Sequence, residues 1–194
     1  MEERTKQIMR RYLIREFDEL NVIRSPDFQG LDKEEVKAQI RKYIEESYED
    51  GHKGVFYLLG LAVLGVSQKR LKTVVSHKID GKTFEDRIDE LFESEDITMY
   101  EIERIAVTEG HRAYVDGQQD AAESIEEDTG VSIYKRWDAT MDDVTRKTHR
   151  LLNGQMKRMD ELFTTENGSA AAPGLFGIAK EDINCRCILT FTTY

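Results

Sequence analysis

The sequence contains very little proline or cysteine. Two of its 194 residues are prolines, Pro26 and Pro173. Because proline interrupts helices, its scarcity favours long helices over a sandwich of many strands and loops. The two cysteines, Cys185 and Cys187, are separated by one residue, a spacing that rarely permits a disulfide. We therefore expect both thiols to be reduced, as in a cytoplasmic protein.

A long hydrophobic segment and an excess of positive charge are also missing. The most apolar stretch, residues 55–66, has 12 residues, fewer than the roughly 20 that cross a bilayer. The first residues mix charged and apolar side chains, unlike a secretory signal. We therefore expect no membrane association. The formal net charge of −10 excludes a surface that is basic all over, which a protein coating nucleic acid would need.

Apolar residues spaced by three and four positions predict helices in the first part of the chain. One predicted helix covers residues 1–20, where the first fifteen residues include five basic and two acidic ones. A second helix begins after Asp32, a suitable cap. We expect Gly51 and Gly54 to interrupt it and a separate third helix to follow from residue 55. That helix would be apolar all round and would lie in the core or at an interface.

The middle of the chain continues the helical pattern. A helix within residues 80–101 would have an acidic outer face, since this stretch holds nine acidic and two basic residues. A longer helix is predicted from about residue 99 to about residue 126. We expect it to bend near Gly117 and to end before Gly130.

From residue 131 the pattern changes. The stretch VSIYKRW is β-branched and aromatic and predicts a strand over 131–137. A helix over 141–152, a loop over 164–177 and a second strand over 183–191 are expected to follow. The predicted fold class is therefore α+β: a mostly helical N-terminal half and a mixed α+β C-terminal domain containing a small sheet.

The polar residues best suited to chemistry follow the first predicted strand. On a helix, Asp142, Asp143, Arg146 and His149 would lie along one stripe. This stripe would suit a small zinc- or histidine-dependent nuclease or transferase that uses His149 as a proton carrier beside Arg146. A structural Asp–Arg pair next to a hydrogen-bonded histidine explains the same pattern, and we favour it. No catalytic residue is assigned.

The cysteine pair offers a second kind of site. On a strand the thiols of Cys185 and Cys187 would face the same side, and with His149 they would supply three soft ligands to zinc. A single C-x-C is a weak zinc signal, however. Two small buried side chains packed against the aromatic strand are the favoured explanation, so we assign no metal and no cofactor.

Two further groups of charged residues have structural explanations. Arg104, Glu109 and Arg112 are expected to join their helix to its neighbours through ion pairs, and His111 beside them is expected to be solvated. Residues 131–158 carry seven lysines and arginines against three aspartates.

This basic stretch also contains aromatic residues. Tyr134 and Trp137 are interleaved with the lysines and arginines. Such a face could contact phosphates locally, although a solvated face explains it as well.

The order of these motifs resembles one known family. A helix reading I-x-R-I-A-x-T-E-x-x-R-A precedes W-x-x-T-x-D-D-x-T-R-x-x-H-x-x-L-x-G, a P-G loop and N-C-R-C. Over about residues 98–190, this order is similar to that of the phage head morphogenesis family, the minor head proteins like the F protein of phage Mu. The matching residues include Arg104, Thr108, Glu109, Arg112, Trp137, Asp143, Arg146, His149, Gly154, Asn184, Cys185 and Cys187.

The resemblance implies a protein of the virion rather than an enzyme. Members of such a family would assemble with the portal protein and with major capsid or scaffolding proteins, in the host cytoplasm and then in the phage head, with a local contact to phage DNA in some cases. It divides the chain into a helical arm, residues 1–95, expected to dock on the portal or capsid, and a family domain, residues 96–194.

One position departs from the family pattern. The family usually has an arginine directly before the Thr-Glu pair, where this chain has Val107. If that arginine forms a structural ion pair, Arg104, one turn earlier, is a candidate substitute. If it serves an active or ligand site, its loss puts activity in doubt.

Overall fold

The computed structural model describes residues 28–58, 66, 68–94 and 97–193. The predicted helix over residues 1–20 and residues 59–65 of the apolar stretch lie outside these ranges. The first half is helical, as predicted, and contains α1 (Lys33–Leu58), α2 (Gln68–Val75), α3 (Phe84–Glu93) and α4 (Met99–Thr129).

The second half is mixed, which confirms the α+β class. It contains β1 (Ile133–Asp138), α5 (Lys147–Leu152), β2 (Met156–Arg158), β3 (Phe163–Thr165), β4 (Gly168–Ala170), α6 (Ala179–Asp182) and β5 (Ile188–Thr193). An antiparallel sheet has the order β2-β1-β5, and β3 pairs with β4 as a hairpin. Along β1 the residues alternate between buried and half-buried, as the period of a strand requires.

Side-chain caps define the ends of these helices. The Asp32 carboxylate accepts a hydrogen bond from the Glu35 backbone N–H at 2.9 Å, which confirms Asp32 as the cap of α1. Thr83 and Thr98 form capping boxes at the starts of α3 and α4. Gly130 ends α4 in a left-handed conformation with φ 68°, which glycine adopts without a steric penalty.

The prediction that glycines interrupt α1 was wrong. The helix continues through Gly51 and Gly54 to Leu58, and the expected separate helix beginning at residue 55 does not start there. A Cβ atom on Gly51 would lie 2.0 Å from the Tyr114 carbonyl oxygen of α4, and one on Gly117 would lie 2.1 Å from the Tyr48 carbonyl oxygen of α1. These glycines permit close contact between two backbones, and α4 runs past Gly117 as one helix.

Helix α4 connects the hydrophobic clusters of the molecule. Its first half packs with α1, α2 and α3, with residues such as Ile40, Val74 and Ile88 in the same cluster as Ile105. Farther along, Tyr114 and Val115 pack with residues of the C-terminal half, and Ala121, Ala122 and Ile125 pack with the end of α1 and with β1. Residues on both sides of position 95 therefore share one core.

Three predicted boundaries in the C-terminal half were wrong. The helix expected over 141–152 begins at Lys147, because Asp142 closes a turn in which its carboxylate accepts hydrogen bonds from Thr145 Oγ1 and the Val144 N–H. Short polar side chains often compete with helix formation in this way. The strand expected over 183–191 begins at Ile188, and the loop expected over 164–177 includes most of the β3–β4 hairpin.

No helix among the described residues is long and apolar enough to cross a membrane.

Candidate metal centre

His149, Cys185 and Cys187 meet in the interior of the C-terminal half. His149 lies on α5, and the two cysteines lie between α6 and β5. All three are buried, with exposed fractions of 1%, 4% and 2%. His149 Nδ1 lies 3.8 Å from Cys185 Sγ and 3.3 Å from Cys187 Sγ. Imidazole and thiolate are the ligands that zinc prefers in proteins, so this group has the composition of a zinc site.

The opposite edge of the His149 ring faces a buried carboxylate. His149 Nε2 lies 3.0 Å from Glu181 Oε2, and Glu181 is fully buried. Its carboxylate accepts hydrogen bonds from Thr148 Oγ1 at 2.9 Å, Thr165 Oγ1 at 3.0 Å and Asn167 Nδ2 at 2.5 Å. His149 Nε2 has no hydrogen bond of ordinary geometry, so the carboxylate acts on the imidazole through its charge and favours a positively charged partner on this side.

The two thiols differ in acidity. The contact with the Cys185 thiol lowers the pKa of the Cys187 thiol against the effect of burial. The same contact, together with burial, raises the pKa of the Cys185 thiol to about 11. Cys187 is therefore the thiol that ionises more readily, and the thiolate is the form that binds metals.

The prediction that His111 is solvated was wrong. Both of its ring nitrogens are shielded from solvent, and the side chain faces Cys185 from α4. Among the described residues, the side-chain atoms that could share one metal ion are those of His149, Cys185 and Cys187, which lie within 4.8 Å of one another.

The groups around His149 favour a positive charge on its ring. Burial alone would lower the pKa of His149, but Cys185 and Glu181 outweigh it and the pKa is raised. A raised histidine pKa reports a site that favours positive charge.

A second buried polar cluster surrounds Glu109 on α4. Glu109 and Arg112 are 0% and 1% exposed, and Arg112 Nε donates to Glu109 Oε2 at 2.9 Å. Arg87 of α3 donates to the other carboxylate oxygen, and Arg112 Nη2 donates to the Val74 carbonyl at 2.8 Å. The expected structural ion pairs of Glu109 and Arg112 are present, and they join α4 to α3 and α2.

The structure shows how the chain manages with Val107 where the family usually has an arginine. Val107 is at the surface, with 38% of its area exposed. The second arginine on Glu109 is Arg87 rather than Arg104, so the buried carboxylate is neutralised without an arginine at position 107.

The remaining motif residues hold the cysteine segment in place. Asn184 has a left-handed backbone with φ 56° and its N–H donates to Thr108 Oγ1 at 3.3 Å. Arg146 donates to the Ile183 carbonyl, and Gly154 N–H donates to the Trp137 carbonyl at 2.8 Å. Thr108 and Arg146 thus hold the segment that leads into the cysteines, and Gly154 is bound to β1.

The predicted stripe of Asp142, Asp143, Arg146 and His149 does not form. Asp142 precedes α5 and pairs with Arg186 at 2.7 Å, Asp143 is exposed, and Arg146 turns to a backbone carbonyl. His149 is buried against Glu181 and the thiols, so the geometry does not favour a solvent-facing acid–base pair of His149 and Arg146.

The basic stretch over 131–158 is largely engaged within the protein. Lys135 is fully buried and donates to the Met159 carbonyl at 2.8 Å, and Trp137 is fully buried in the core. Trp137 therefore cannot stack on a base. Lys147 and Arg158 remain exposed.

Several residues important to these clusters were not singled out from the sequence. Glu181 and Arg87 are acidic and basic residues in ordinary polar stretches, and Lys135 is one of seven basic residues within residues 131–158. No local spacing links Glu181 to His149, since 32 positions separate their numbers in the chain and the fold brings them together.

Comparison with known proteins relates the chain to phage proteins. The family model described as "Phage Mu protein F like protein" matches residues 29–190. The chain is 42% identical over 87 residues to the minor head protein GP7 of Bacillus phage SPP1. It is 28% identical over 205 aligned positions to a protein of Enterococcus faecalis named as an NAD(+)–arginine ADP-ribosyltransferase.

The two relatives are much longer than the matched parts. The alignments cover 44% of this chain and 28% of the SPP1 protein, and 88% of this chain and 41% of the Enterococcus protein. No solved structure matches the chain.

Proposed function

The chain belongs to the family of proteins like protein F of phage Mu, and on this basis we propose that it is a minor head protein of a tailed phage or prophage. It acts in head assembly at the portal and takes part in packaging or delivery of the DNA. The observation that carries the proposal is the 42% identity to a minor head protein. The buried motif residues support a structural role, since they hold elements together rather than line an open cleft.

The helical arm, residues 1–95, supplies the docking region in this proposal. Its part from residue 33 onward packs on α4 in a shared core. The docking contact is therefore assigned to residues 1–27, whose sequence has apolar residues at helical spacing, including Leu13 and Phe17. Removing half of α1 would expose the core, so substitutions in the full chain test docking more cleanly than a long deletion.

Incorporation into particles tests this role. The full chain is produced together with the portal, scaffolding and major capsid proteins of the same phage, and procapsids are separated by sedimentation. We expect the protein in the procapsid fraction and its loss with Phe17→Asp. Gln7→Asp, on the polar side of the predicted helix, serves as the control and is expected to be retained. Absence of the wild-type chain from procapsids, or full incorporation of Phe17→Asp, would contradict the proposal.

The contact with DNA is local in this proposal. The exposure of the basic side chains Lys147 and Arg158 supports a local contact with phosphates, while the net charge of −10 opposes wider wrapping. Each phosphate contact lowers the logarithm of the duplex affinity by about 0.9 per tenfold rise in salt. We expect weak binding with a shallow salt slope that Lys147→Glu reduces; no binding at low salt would contradict this part of the proposal.

The activity in the name of the Enterococcus protein is not carried over to this chain. The match covers 41% of that protein, and nothing in the described geometry favours a transferase site.

A further inference from the structure

We propose that His149, Cys185 and Cys187 bind a structural zinc ion. The ion would join α5 to the segment between α6 and β5. This site is independent of the assembly role, and each can fail without the other.

The distances between the ligand atoms fit one ion. Zinc bonds of about 2.3 Å to sulphur and about 2.05 Å to nitrogen in a tetrahedron place nitrogen and sulphur about 3.6 Å apart and two sulphurs about 3.8 Å apart. The observed Nδ1–Sγ distances are 3.3 and 3.8 Å, and the ligand atoms of the three residues all lie within 4.8 Å of one another. Shifts of a few tenths of an ångström bring them onto one centre.

The surroundings of the three residues suit a bound cation. The Glu181 carboxylate lies 3.0 Å from His149 Nε2, and carboxylates in this position support zinc-bound histidines. Thiols that serve only as small apolar side chains need no buried carboxylate beside them.

The burial and ligand types point to zinc in a closed site. Two sulphur ligands and one imidazole nitrogen suit Zn²⁺, while Mg²⁺ and Ca²⁺ take oxygen ligands. Catalytic zinc keeps a position open to solvent, whereas here Cys185, Cys187 and His149 are all nearly inaccessible.

Metal content of the full-length protein is the first test. The protein is purified on a tag that carries no metal and without chelator, and its metals are measured by mass spectrometry. We expect stoichiometric zinc in the wild type and its loss in Cys187→Ser. The control His77→Gln, a histidine outside the cluster, is expected to retain zinc. A Cys187→Ser variant that keeps stoichiometric zinc would overturn the site.

Cobalt replacement provides a readout that does not depend on the folding of any variant. After zinc removal, wild-type protein titrated with Co²⁺ is expected to show the thiolate charge-transfer band and the intense visible bands of a tetrahedral site. Wild-type protein that contains no zinc on purification and gives no cobalt bands would overturn the proposal as a whole.

Discussion

Two buried polar clusters lie along α4, and they differ in the source of their positive charge. Around Glu109 the chain supplies the cations itself, from Arg112 on the same helix and Arg87 on α3. Around His149 the fold collects two sulphur atoms and the Glu181 carboxylate, whose hydrogen-bond donors are the neutral side chains of Thr148, Thr165 and Asn167. The first cluster is electrostatically complete, whereas the second would be completed by a bound cation.

The two clusters represent two different ways of joining neighbouring elements through buried charge. A buried ion pair is costly to break but adds little net stability relative to apolar packing. A structural metal contributes its binding free energy to folding. The two clusters should therefore respond differently to substitution, to chelators and to pH.

The largest effect is expected from removing the carboxylate of the first cluster. Glu109→Ala leaves two arginines facing each other in the interior, and it should lower the free energy of unfolding by about 3–5 kcal/mol. Chemical denaturation measures the change. Glu103→Ala, at an exposed position on the same helix, should change it by less than about 0.5 kcal/mol. Similar effects of the two substitutions would mean that the Glu109 pairs do not hold α3 on α4.

A smaller effect is expected from the carboxylate of the second cluster. Glu181→Gln keeps the shape and the hydroxyl contacts but removes the charge at His149 Nε2. The affinity for zinc, measured against a chromophoric chelator, should fall by about 10–100-fold. Glu166→Gln, at an exposed position in the β3–β4 turn, is the control and should leave the affinity unchanged. An unaltered affinity in Glu181→Gln would show that the carboxylate does not support the ligand.

Lys135 is also buried, but its ammonium group donates to a backbone carbonyl instead of pairing with a carboxylate. Burial lowers its pKa from 10.5 to about 8, so between these values the unfolded chain binds more protons than the folded one, and stability rises with pH. Lys135→Met should stabilise the protein by about 1 kcal/mol at neutral pH, since Gln119 still donates to the Met159 carbonyl.

The stability gained by Lys135→Met should depend on pH. The advantage of Lys135→Met should shrink as pH rises through about 8, because the wild-type lysine is then neutral. Urea denaturation of both proteins at a series of pH values measures it. An advantage that stays constant with pH would contradict the buried-charge explanation.

The smallest effect is expected for an ion pair that is half-exposed, unlike the buried pairs of Glu109. Asp142 and Arg186 pair at 2.7 Å, with side chains 39% and 37% exposed. Solvent and salt screen such pairs, so a double-mutant cycle of Asp142→Asn and Arg186→Gln should give a coupling well below that of Glu109 with Arg112, and one that declines with salt. A coupling as large as the buried one would remove burial as the cause of the difference.

The sequence predicts much of the fold and part of the site. The cap at Asp32, the end of α4 at Gly130 and the strand containing Trp137 follow from local chemistry and period. The predicted helix break at Gly51 is wrong because the sequence does not distinguish a glycine that ends a helix from one that allows close contact with a neighbouring backbone. Only the position of Tyr114 separates them.

The candidate metal site, too, can be predicted only in part from the sequence. His149, Cys185 and Cys187 can be grouped from the sequence by their ligand types, although the strand that was to align the thiols begins only at Ile188. Glu181 carries no local signal, because its role depends on α6 packing beside α5. His111 was expected in solvent because the chain segment that covers it is remote in sequence.

The response of thermal unfolding to a chelator tests the contrast between the clusters most directly. With a strong zinc chelator, the Tm of the wild-type protein should fall and should return when zinc is restored, while Cys187→Ser should unfold at one Tm in either condition. Glu109→Ala should keep the chelator response at a lower starting Tm. A wild-type Tm that is unchanged by the chelator and by added zinc would contradict the claim that a metal completes the second cluster.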